Sequence, residues 1–316
     1  MRETDYEYCF TAKQGEFDTR AVRCMRTKII RAGDSLEIES YPVLKLNRRQ
    51  QRAAKRSKTR AMQHAINRRN RRNRVRRLIE ANFTEADFIV HGTYDYGIYA
   101  RGFEDMAAID KRYELLGLPW DYGDALRDVQ NYLRRVKGRQ RRRDTSAAVK
   151  YIYSIERTRP QAEGLPSRFH FHMVLHAPSL TREELEDMWR QSESRGYCNV
   201  DRLNLSQDGA QAIANYITKQ TGARVNTSKN LKQPRICVSD KRLSPARAAR
   251  VARDVMGDGK RIFERLYKGY VCTQPGGPEV RFSDFLPGAY IYARLRRRSA
   301  ERGRIETLAG RIRTAL

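Results

Sequence analysis

Two histidines separated by one residue lie within residues 168–176, which read Arg-Phe-His-Phe-His-Met-Val-Leu-His. The alternation of histidine with large apolar residues is typical of a half-buried β-strand. Because successive strand side chains point to opposite faces, His170 and His172 would share one face while Phe169 and Phe171 face a core. Two imidazoles at this spacing can bind one metal ion. A sheet with two partly exposed histidines and no metal is the alternative.

A carboxylate for the same site is available on the strand expected at residues 149–156. The loop that follows contains proline and glycine, so the two strands are most simply an antiparallel pair, with Glu156 near His170 and His172. Such a three-ligand set leaves positions open for water and substrate oxygens. It suits Mg²⁺ or Mn²⁺ at least as well as Zn²⁺. A surface salt bridge between Glu156 and a neighbouring arginine is an equally weighted alternative.

A tyrosine and a lysine lie three residues apart in residues 209–220, which are predicted to form a helix that stops at Gly222. Tyr216 and Lys219 would therefore be neighbours on one helix face. A tyrosine hydroxyl has an unperturbed pKa of about 10, so it needs help to act as a nucleophile near neutrality. On helical spacing alone, half-buried packing is the ordinary role of such a tyrosine.

The charge of the chain indicates a polyanionic partner. Its 316 residues include 64 Lys and Arg against 37 Asp and Glu, a formal net charge of +27. This excess is too large to serve solubility alone and favours nucleic acid. No membrane partner is expected, because the basic stretches lack a strong apolar face and no apolar run is long enough to span a bilayer. The N-terminal residues do not resemble a signal peptide, so the expected location is the cytoplasm.

Positive charge is most concentrated between residues 48 and 77, where there is no acidic residue. This basic arm is expected to contact the phosphate backbone, with a solvated helix face as the alternative. Unbound, much of it should be mobile, because like charges repel and little can be buried. Helix formers become regular toward Val75, and the helix is expected to end near Asn82. The candidate DNA-binding residues here are Arg68, Arg69, Arg71, Arg72 and Arg74.

The order of the elements predicts an α+β fold: a central antiparallel sheet with helices packed on it, a basic N-terminal arm and a C-terminal extension. The expected elements are a β-hairpin turning at residues 32–34, a strand at 87–94, a helix capped by Asp124, a basic loop at 139–143, the two strands above, a helix opened by a Thr181–Glu184 capping box, and an extended segment at 197–205. The expected segments are a hairpin region (1–47), the basic arm and helix (48–82), the main domain (83–240) and a helix–strand extension with a basic tail (241–316).

This ordered set of an aromatic strand, a helix, a strand ending in Glu, a His-Phe-His strand and a Tyr-x-x-Lys helix resembles the HUH endonucleases. These are rolling-circle replication initiators and relaxases named for a His-hydrophobic-His motif. More narrowly, the chain is similar to replication-initiation proteins of the filamentous-phage gene II and small-circular-phage type. The resemblance covers most of the chain after about Leu78. The matching segments are residues 81–84 leading into 88–94, then 168–175, 214–219, 228–234 and 284–292.

The resemblance implies a ferredoxin-like nuclease domain at 83–240 that nicks single-stranded DNA at a replication origin. Tyr216 would be the nucleophile and Lys219 its helper, while His170 and His172 would bind the divalent metal with Glu156 in the place of the third, polar ligand. The products would be a 5′-phosphotyrosine link and a free 3′-hydroxyl for rolling-circle replication. The implied partners are single-stranded origin DNA and the host helicase and polymerase. Within the matching segment 228–234, Lys229 and Lys232 are further candidate DNA contacts.

Two departures from the family pattern are visible. Relatives usually have a Thr-Leu-Thr-Tyr type of run where this chain has Val90-His91-Gly92-Thr93-Tyr94. Some phage initiators carry two tyrosines on the catalytic helix, whereas here Asn215 precedes a single Tyr216, which favours a single-tyrosine mechanism. A conjugative relaxase with the same chemistry and a non-enzymatic nucleic-acid-binding protein remain alternatives. The second predicts neither metal dependence nor a covalent adduct.

Overall fold

The computed structural model describes residues 13–45, 60–94, 119, 121–158, 168–191, 195–205, 209–219, 224–254, 258–283 and 287–298, without the side chains of residues 60–63, 168 and 195. These residues form helices and antiparallel strands, which confirms the expected α+β class. They build two sheets where one central sheet was expected. Each sheet belongs to its own compact unit, the first comprising Met1–Asn70 with Gln233–Leu316 and the second Arg71–Lys232.

The strands are β1 (Val22–Ala32), β2 (Ser35–Leu44), β3 (Phe88–Tyr94), β4 (Lys150–Thr158), β5 (Arg168–His176), β6 (Arg195–Arg202), β7 (Val225–Thr227), β8 (Arg235–Ser239), β9 (Tyr270–Cys272), β10 (Glu279–Phe282) and β11 (Ala289–Arg297). The helices are α1 (Arg60–Asn82), α2 (Tyr122–Arg143), α3 (Arg182–Trp189), α4 (Gly209–Ile217), α5 (Pro245–Ala252) and α6 (Asp258–Leu266). In the part of the chain that these ranges cover, no helix is both long and apolar enough to cross a membrane.

The first unit contains the expected N-terminal hairpin. Ala32 pairs with Ser35, so Gly33 and Asp34 form a two-residue turn, and Gly33 adopts a φ of 56° that glycine tolerates without a Cβ penalty. The strand order is β10-β11-β2-β1-β8, with β9 paired to β11.

The C-terminal segment differs from the separate extension that was expected. Strand β11 pairs directly with β2, and α5 and α6 contribute to the same core as the hairpin. An isolated hairpin is only marginally stable in water. The C-terminal strands add to the N-terminal hairpin and so complete a larger sheet. The expected boundaries at residues 47, 82 and 240 therefore differ from those of the two units. The part of the basic arm before Arg60 lies outside the described residues.

The second unit is built on a five-stranded antiparallel sheet in the order β6-β3-β5-β4-β7. The histidine strand β5 is central, and the expected antiparallel pairing of β4 with β5 is confirmed. The register places Glu156 opposite His170 and Ser154 opposite His172. Strand β3 lies on the other side of β5, with His91 opposite His172. These polar side chains therefore share one face of the sheet, which we call the histidine face.

The opposite face holds the larger core of this unit. Phe169, Phe171 and Met173 are almost fully buried there, as the alternation in the sequence predicted. Helices α2 and α3 supply the residues that cover them, including Tyr132 and Trp189, whose rings contact Phe171 at centroid distances of 5.9 and 4.8 Å. The capping box that opens α3 is confirmed.

Helix α2 differs from its expected bounds at both ends. Its N-cap is Asp121, whose Oδ1 accepts a hydrogen bond of 2.9 Å from the backbone of Asp124, so Asp124 lies in the first turn. The interpretation of residues 139–143 as a loop is wrong, because the helix continues to Arg143. Arginine is a good helix former, and cations are stabilised at a helix C-terminus.

Helices α1 and α4 cover part of the histidine face. Ile152 and Val174 form a buried cluster there with Val75 and Ile79 of α1 and with Ile213 and other apolar residues of α4. Helix α1 ends at Asn82, as expected. The polar end of the face, next to this cluster, is where α4 brings Tyr216.

Candidate active site

Three side chains predicted from the sequence converge on the histidine face. Oε2 of Glu156 lies 3.3 Å from Nε2 of His170 and 3.7 Å from Nε2 of His172. Their possible ligand atoms all lie within 4.8 Å of one another, so one metal ion could be held between them. Strands β4 and β5 achieve this by direct cross-strand pairing, which brings side chains on one face to within about 5.5 Å at Cβ.

The surroundings of Glu156 favour the ionised form of its carboxylate. Burial raises its pKa, but hydrogen bonds and charge interactions with His170 and His172 outweigh that effect and lower the pKa to about 2. The group is therefore ionised throughout the neutral range. The side chain of His172 is 6% exposed and that of His170 is 26% exposed, so the cluster is open to solvent on the His170 side.

Two buried oxygen atoms beside the cluster fit a bound cation. Within the described part of the chain, Oε1 of Glu156 and Oγ of Ser154 are buried without a hydrogen-bond partner. Leaving buried polar atoms unpaired is costly, typically about 1–3 kcal/mol each. Ser154 is the cross-strand partner of His172, so its hydroxyl lies on the face of the ligands. A divalent cation with its water ligands would satisfy such oxygen atoms, so the residues present fit a metal site.

Helix α4 places Tyr216 over this cluster. The ring centroid of Tyr216 lies 4.2 Å from that of His172 and 5.4 Å from that of His91. Tyr216 remains 41% exposed although Ile213 and Ile217 of the same helix are buried. Burial, and then the nearby charge of Glu156, raise the pKa of the Tyr216 hydroxyl. The tyrosine is therefore protonated at neutral pH and would have to lose a proton in order to attack an electrophile.

Lys219 lies just beyond the end of helix α4, where the helix was expected to continue. Helix α4 ends at Ile217, and the backbone N–H of Lys219 donates a 3.2 Å hydrogen bond to the carbonyl of Tyr216. The hydroxyl of Thr218 also donates to the carbonyl of Ala214 at 2.7 Å, a local bond that competes with regular helix continuation. Lys219 thus follows the helix in a tight turn, with an exposed side chain. The expected stop at Gly222 lies outside the described residues.

His91 belongs to the site, although sequence reasoning did not assign it there. Its Nδ1 lies 2.8 Å from Nδ1 of His172, within hydrogen-bond distance. Burial, and next the proximity of His172, lower the pKa of His91 to about 4, so its imidazole is neutral at pH 7. The departure of His91-Gly92 from the family pattern was a signal in the sequence that His91 is unusual. It could not identify the partner of His91, because that partner is set by the register between β3 and β5.

Gly92 is explained by a close approach on the other face of the sheet. Gly92 pairs with Phe171, and a Cβ at Gly92 would lie 2.1 Å from Cε1 of the phenylalanine ring. No side chain fits that space, so the glycine lets Phe171 cross the strand that carries His91. In the unusual His91-Gly92 pair, His91 therefore lies in the candidate site and Gly92 leaves room for the Phe171 ring.

His176, the third histidine of β5, takes no part in the cluster. Its Nδ1 lies 2.6 Å from Oδ1 of Asp87 at the other end of the strand. This histidine was not expected in the metal set, and the structure gives it a different partner.

The candidate DNA-binding residues fall in two places. On α1, Arg68, Arg72 and Arg74 are exposed, whereas Arg69 and Arg71 are half-buried. Helix α1 packs against the histidine face through Val75, Leu78 and Ile79. Arg72 and Arg74 therefore belong to the part of α1 that lies on the same side of the sheet as the cluster.

The two candidate lysines, Lys229 and Lys232, are exposed in the segment that follows β7. Asn82 fixes this segment: its Oδ1 accepts from the backbone N–H of Lys232 at 2.7 Å, and its Nδ2 donates to the carbonyl of Lys232 at 2.9 Å. Ser228 bonds to the backbone of Tyr151 in β4. At about 3.4 Å per residue, Tyr151 lies about 17 Å along the strand from Glu156, so these lysines lie well away from the cluster.

No protein-family model, no curated protein and no solved structure matches the chain. The candidate site therefore rests on the geometry and chemistry of its own residues.

Proposed function

We propose that this chain is a metal-dependent, site-specific endonuclease and strand transferase for single-stranded DNA, of the HUH type, that initiates rolling-circle replication. The observation that carries the proposal is the position of the Tyr216 ring, 4.2 Å from the ring of His172 in a Glu156–His170–His172 cluster. A nucleophile with an exposed hydroxyl-bearing ring beside a metal-ligand set is the arrangement that tyrosine transesterification requires.

In the proposed reaction the phenolic oxygen of Tyr216 gives up its proton to solvent and forms a bond to the scissile phosphorus. The bond from that phosphorus to the 3′ oxygen of the preceding nucleotide breaks, and the leaving oxygen takes a proton to become a 3′-hydroxyl. The downstream strand stays attached to Tyr216 through a 5′-phosphotyrosine. One phosphodiester replaces another, so no nucleotide cofactor is consumed, in agreement with the lack of a Gly-x-x-x-x-Gly-Lys-Ser/Thr motif in the sequence.

Each residue of the site has a defined task in this reaction. Glu156, His170 and His172 would hold a divalent ion, which when bound supplies charge to polarise the scissile phosphate. Two imidazoles and one carboxylate suit Mg²⁺ or Mn²⁺ in phosphate chemistry, and we propose one of these as the cofactor. The solvent-open side of the cluster, next to His170, is where the phosphate would enter. Lys219 is proposed to stabilise negative charge on the phenolate or the phosphate.

The charge distribution supports a nucleic-acid substrate. The net charge of +27 and the exposed Arg72 and Arg74 on a helix packed on the histidine face would hold a single strand near the cluster. Arg68, Arg69, Arg71, Lys229 and Lys232 are proposed as further contacts along the strand. The proposed partners are origin DNA, the host helicase and the host polymerase, in the cytoplasm of a bacterial host.

Strand-end labelling of a DNA substrate tests the proposal. Overlapping single-stranded oligonucleotides that cover the replication origin of the genetic element encoding this chain are incubated with the protein and Mn²⁺. A 3′-end label should appear on the protein as an SDS-resistant adduct, while a 5′-end label should appear on a shortened fragment that a polymerase extends. Tyr216→Phe should lose the adduct and keep binding, and Tyr197→Phe, at an exposed tyrosine of β6, should keep both.

Two outcomes would overturn the proposal. An adduct that persists in Tyr216→Phe would mean that another residue is the nucleophile. Binding without any adduct in the native protein, unchanged by EDTA, would favour a non-enzymatic nucleic-acid-binding protein.

A further inference from the structure

His91 and His172 form a close pair of imidazoles next to the metal-ligand cluster. Their Nδ1 atoms lie 2.8 Å apart and their ring centroids 5.0 Å apart, with the ring planes inclined at 67°. Two nitrogen atoms at this distance share one proton, because a neutral imidazole has one donor and one acceptor nitrogen. The direction of that hydrogen bond decides which nitrogen of His172 is free.

The metal site fixes the direction. The nitrogen of His172 that faces Glu156 is Nε2, so a metal in the cluster needs the lone pair on Nε2. A neutral His172 then carries its proton on Nδ1 and must donate it to an acceptor. The only orientation consistent with that requirement makes Nδ1 of His91 the acceptor and leaves the proton of His91 on its Nε2.

We infer that His91 is a positioning residue for the metal site: it accepts the Nδ1 proton of His172 and so holds Nε2 of His172 toward the metal. The inference rests on the metal site of the proposed function. Partners of this kind fix the tautomer and orientation of a ligand imidazole, and losing one typically lowers metal affinity about 10–100-fold.

The position of His91 supports this function. It faces His172 directly across two hydrogen-bonded strands, so the contact is set by sheet register and does not depend on a loop. The ring centroid of His91 also lies 5.4 Å from that of Tyr216. His172 is therefore held on one side by His91 and covered by Tyr216, while its cross-strand neighbour on the other side is Ser154. An uncharged acceptor at this point orients the ligand without adding charge to the site.

Metal titration of variants provides the first test. Mn²⁺ binding to the full chain is measured by calorimetry without DNA, alongside thermal unfolding to confirm folding. His91→Leu, which fills space but accepts no hydrogen bond, should weaken Mn²⁺ affinity about 10–100-fold. His91→Asn, which keeps an acceptor oxygen, should recover most of the loss. His64→Leu, at an exposed histidine of α1, should bind as the native protein does. Equal affinity in His91→Leu and the native protein, or an equal loss in both His91 variants, would overturn the inference.

A spectroscopic readout needs no variant. In the ¹⁵N spectrum of the Mg²⁺-loaded native protein, His172 should be protonated at Nδ1 and His91 at Nε2. The reverse assignment would overturn the inference whatever the variants do. These results are independent of nuclease activity: if the tautomers agree and Tyr216 forms no adduct, the positioning residue stands and the proposed reaction fails. A native chain that binds neither Mn²⁺ nor Mg²⁺ overturns both the metal site and the inference.

Discussion

Glu156 and His170 face each other directly across strands β4 and β5, with Oε2 of the carboxylate 3.3 Å from Nε2 of the imidazole. Both strands lie inside a five-stranded sheet, so hydrogen-bonded neighbours on each side hold the two residues. A ligand pair fixed by sheet register is already arranged before a metal binds. Little conformational entropy is then lost on binding, and each ligand contributes more of its intrinsic affinity.

Replacing this carboxylate tests its part in metal binding. Glu156→Gln keeps the size and one carbonyl oxygen but removes the negative charge, so Mn²⁺ affinity should fall by at least about 10-fold. The measurement is calorimetric titration with Mn²⁺ on the folded protein. Glu183→Gln, at an exposed glutamate of α3, is the matched control. Unchanged affinity in Glu156→Gln would remove Glu156 from the ligand set.

The pH dependence of stability should report on His91. Its pKa is about 4 in the folded protein, against 6.5 for an ordinary histidine. Between these values the unfolded chain binds a proton that the folded chain does not, so the free energy of unfolding falls as the pH is lowered from about 6.5 to about 4. Above pH 6.5 the contribution of His91 is fully present.

Urea unfolding of the metal-free protein at several pH values between 7 and 4 measures this slope. His91→Asn lacks the titrating group, so its unfolding free energy should depend less steeply on pH over the same range. Parallel pH profiles for the two proteins would show that His91 is not held neutral in the fold.

Gly92→Ala should destabilise the second unit. The added Cβ would lie 2.1 Å from Cε1 of Phe171, which is fully buried and cannot move aside freely. Overpacking of this kind costs about 1–3 kcal/mol, measured by urea unfolding.

Gly138→Ala provides the contrast for that measurement. Gly138 lies inside α2 with open space where its Cβ would be, so this change should be stabilising by about 0.5–1 kcal/mol. A neutral effect of Gly92→Ala would mean that Phe171 has room to shift.

Neutralising the exposed arginines of α1 should change the salt dependence of DNA binding. Removing charge with Arg72→Gln and Arg74→Gln should weaken binding to single strands. The slope of log affinity against log salt should become shallower by about 0.7 for each phosphate that is no longer neutralised. Fluorescence anisotropy with a labelled oligonucleotide at several salt concentrations gives the slope.

Arg141→Gln with Arg142→Gln is the matched double variant, because these exposed arginines end α2, which packs on the opposite face of the sheet. An equal weakening in the two double variants would indicate a general charge effect with no preference for the histidine face.

The local part of the site could be predicted from the sequence. His170 and His172 share a face because strand side chains alternate, and Glu156 joins them because a short connection makes neighbouring strands antiparallel. Both inferences use residues less than about 20 positions apart, within the reach of simple strand pairing. The same locality explains why the N-terminal hairpin and the capping box of α3 were predicted correctly.

Contacts that depend on the pairing of strands far apart in the chain could not be predicted from the sequence. His91 meets His172 only through the register of β3 against β5, 81 residues apart, and nothing in either strand alone specifies it. The pairing of β11 with β2 likewise joins segments far apart in the chain, and local patterns alone predict a separate C-terminal extension. The helix that carries Tyr216 was predicted to continue beyond its observed end for a different reason, because the hydroxyl of Thr218 bonds to the backbone of Ala214 where the helix ends at Ile217.

The close approach of Phe171 to Gly92 gives the sheet a second property. Phe171 sits between His170 and His172 in the chain and points into the aromatic core, while its ring crosses beneath the strand of His91. A change in volume at this ring would therefore act on the strand that carries His91 and on the histidines beside Phe171 in β5. The packing of the hydrophobic interior of this unit and the geometry of its histidine face are therefore coupled through one ring.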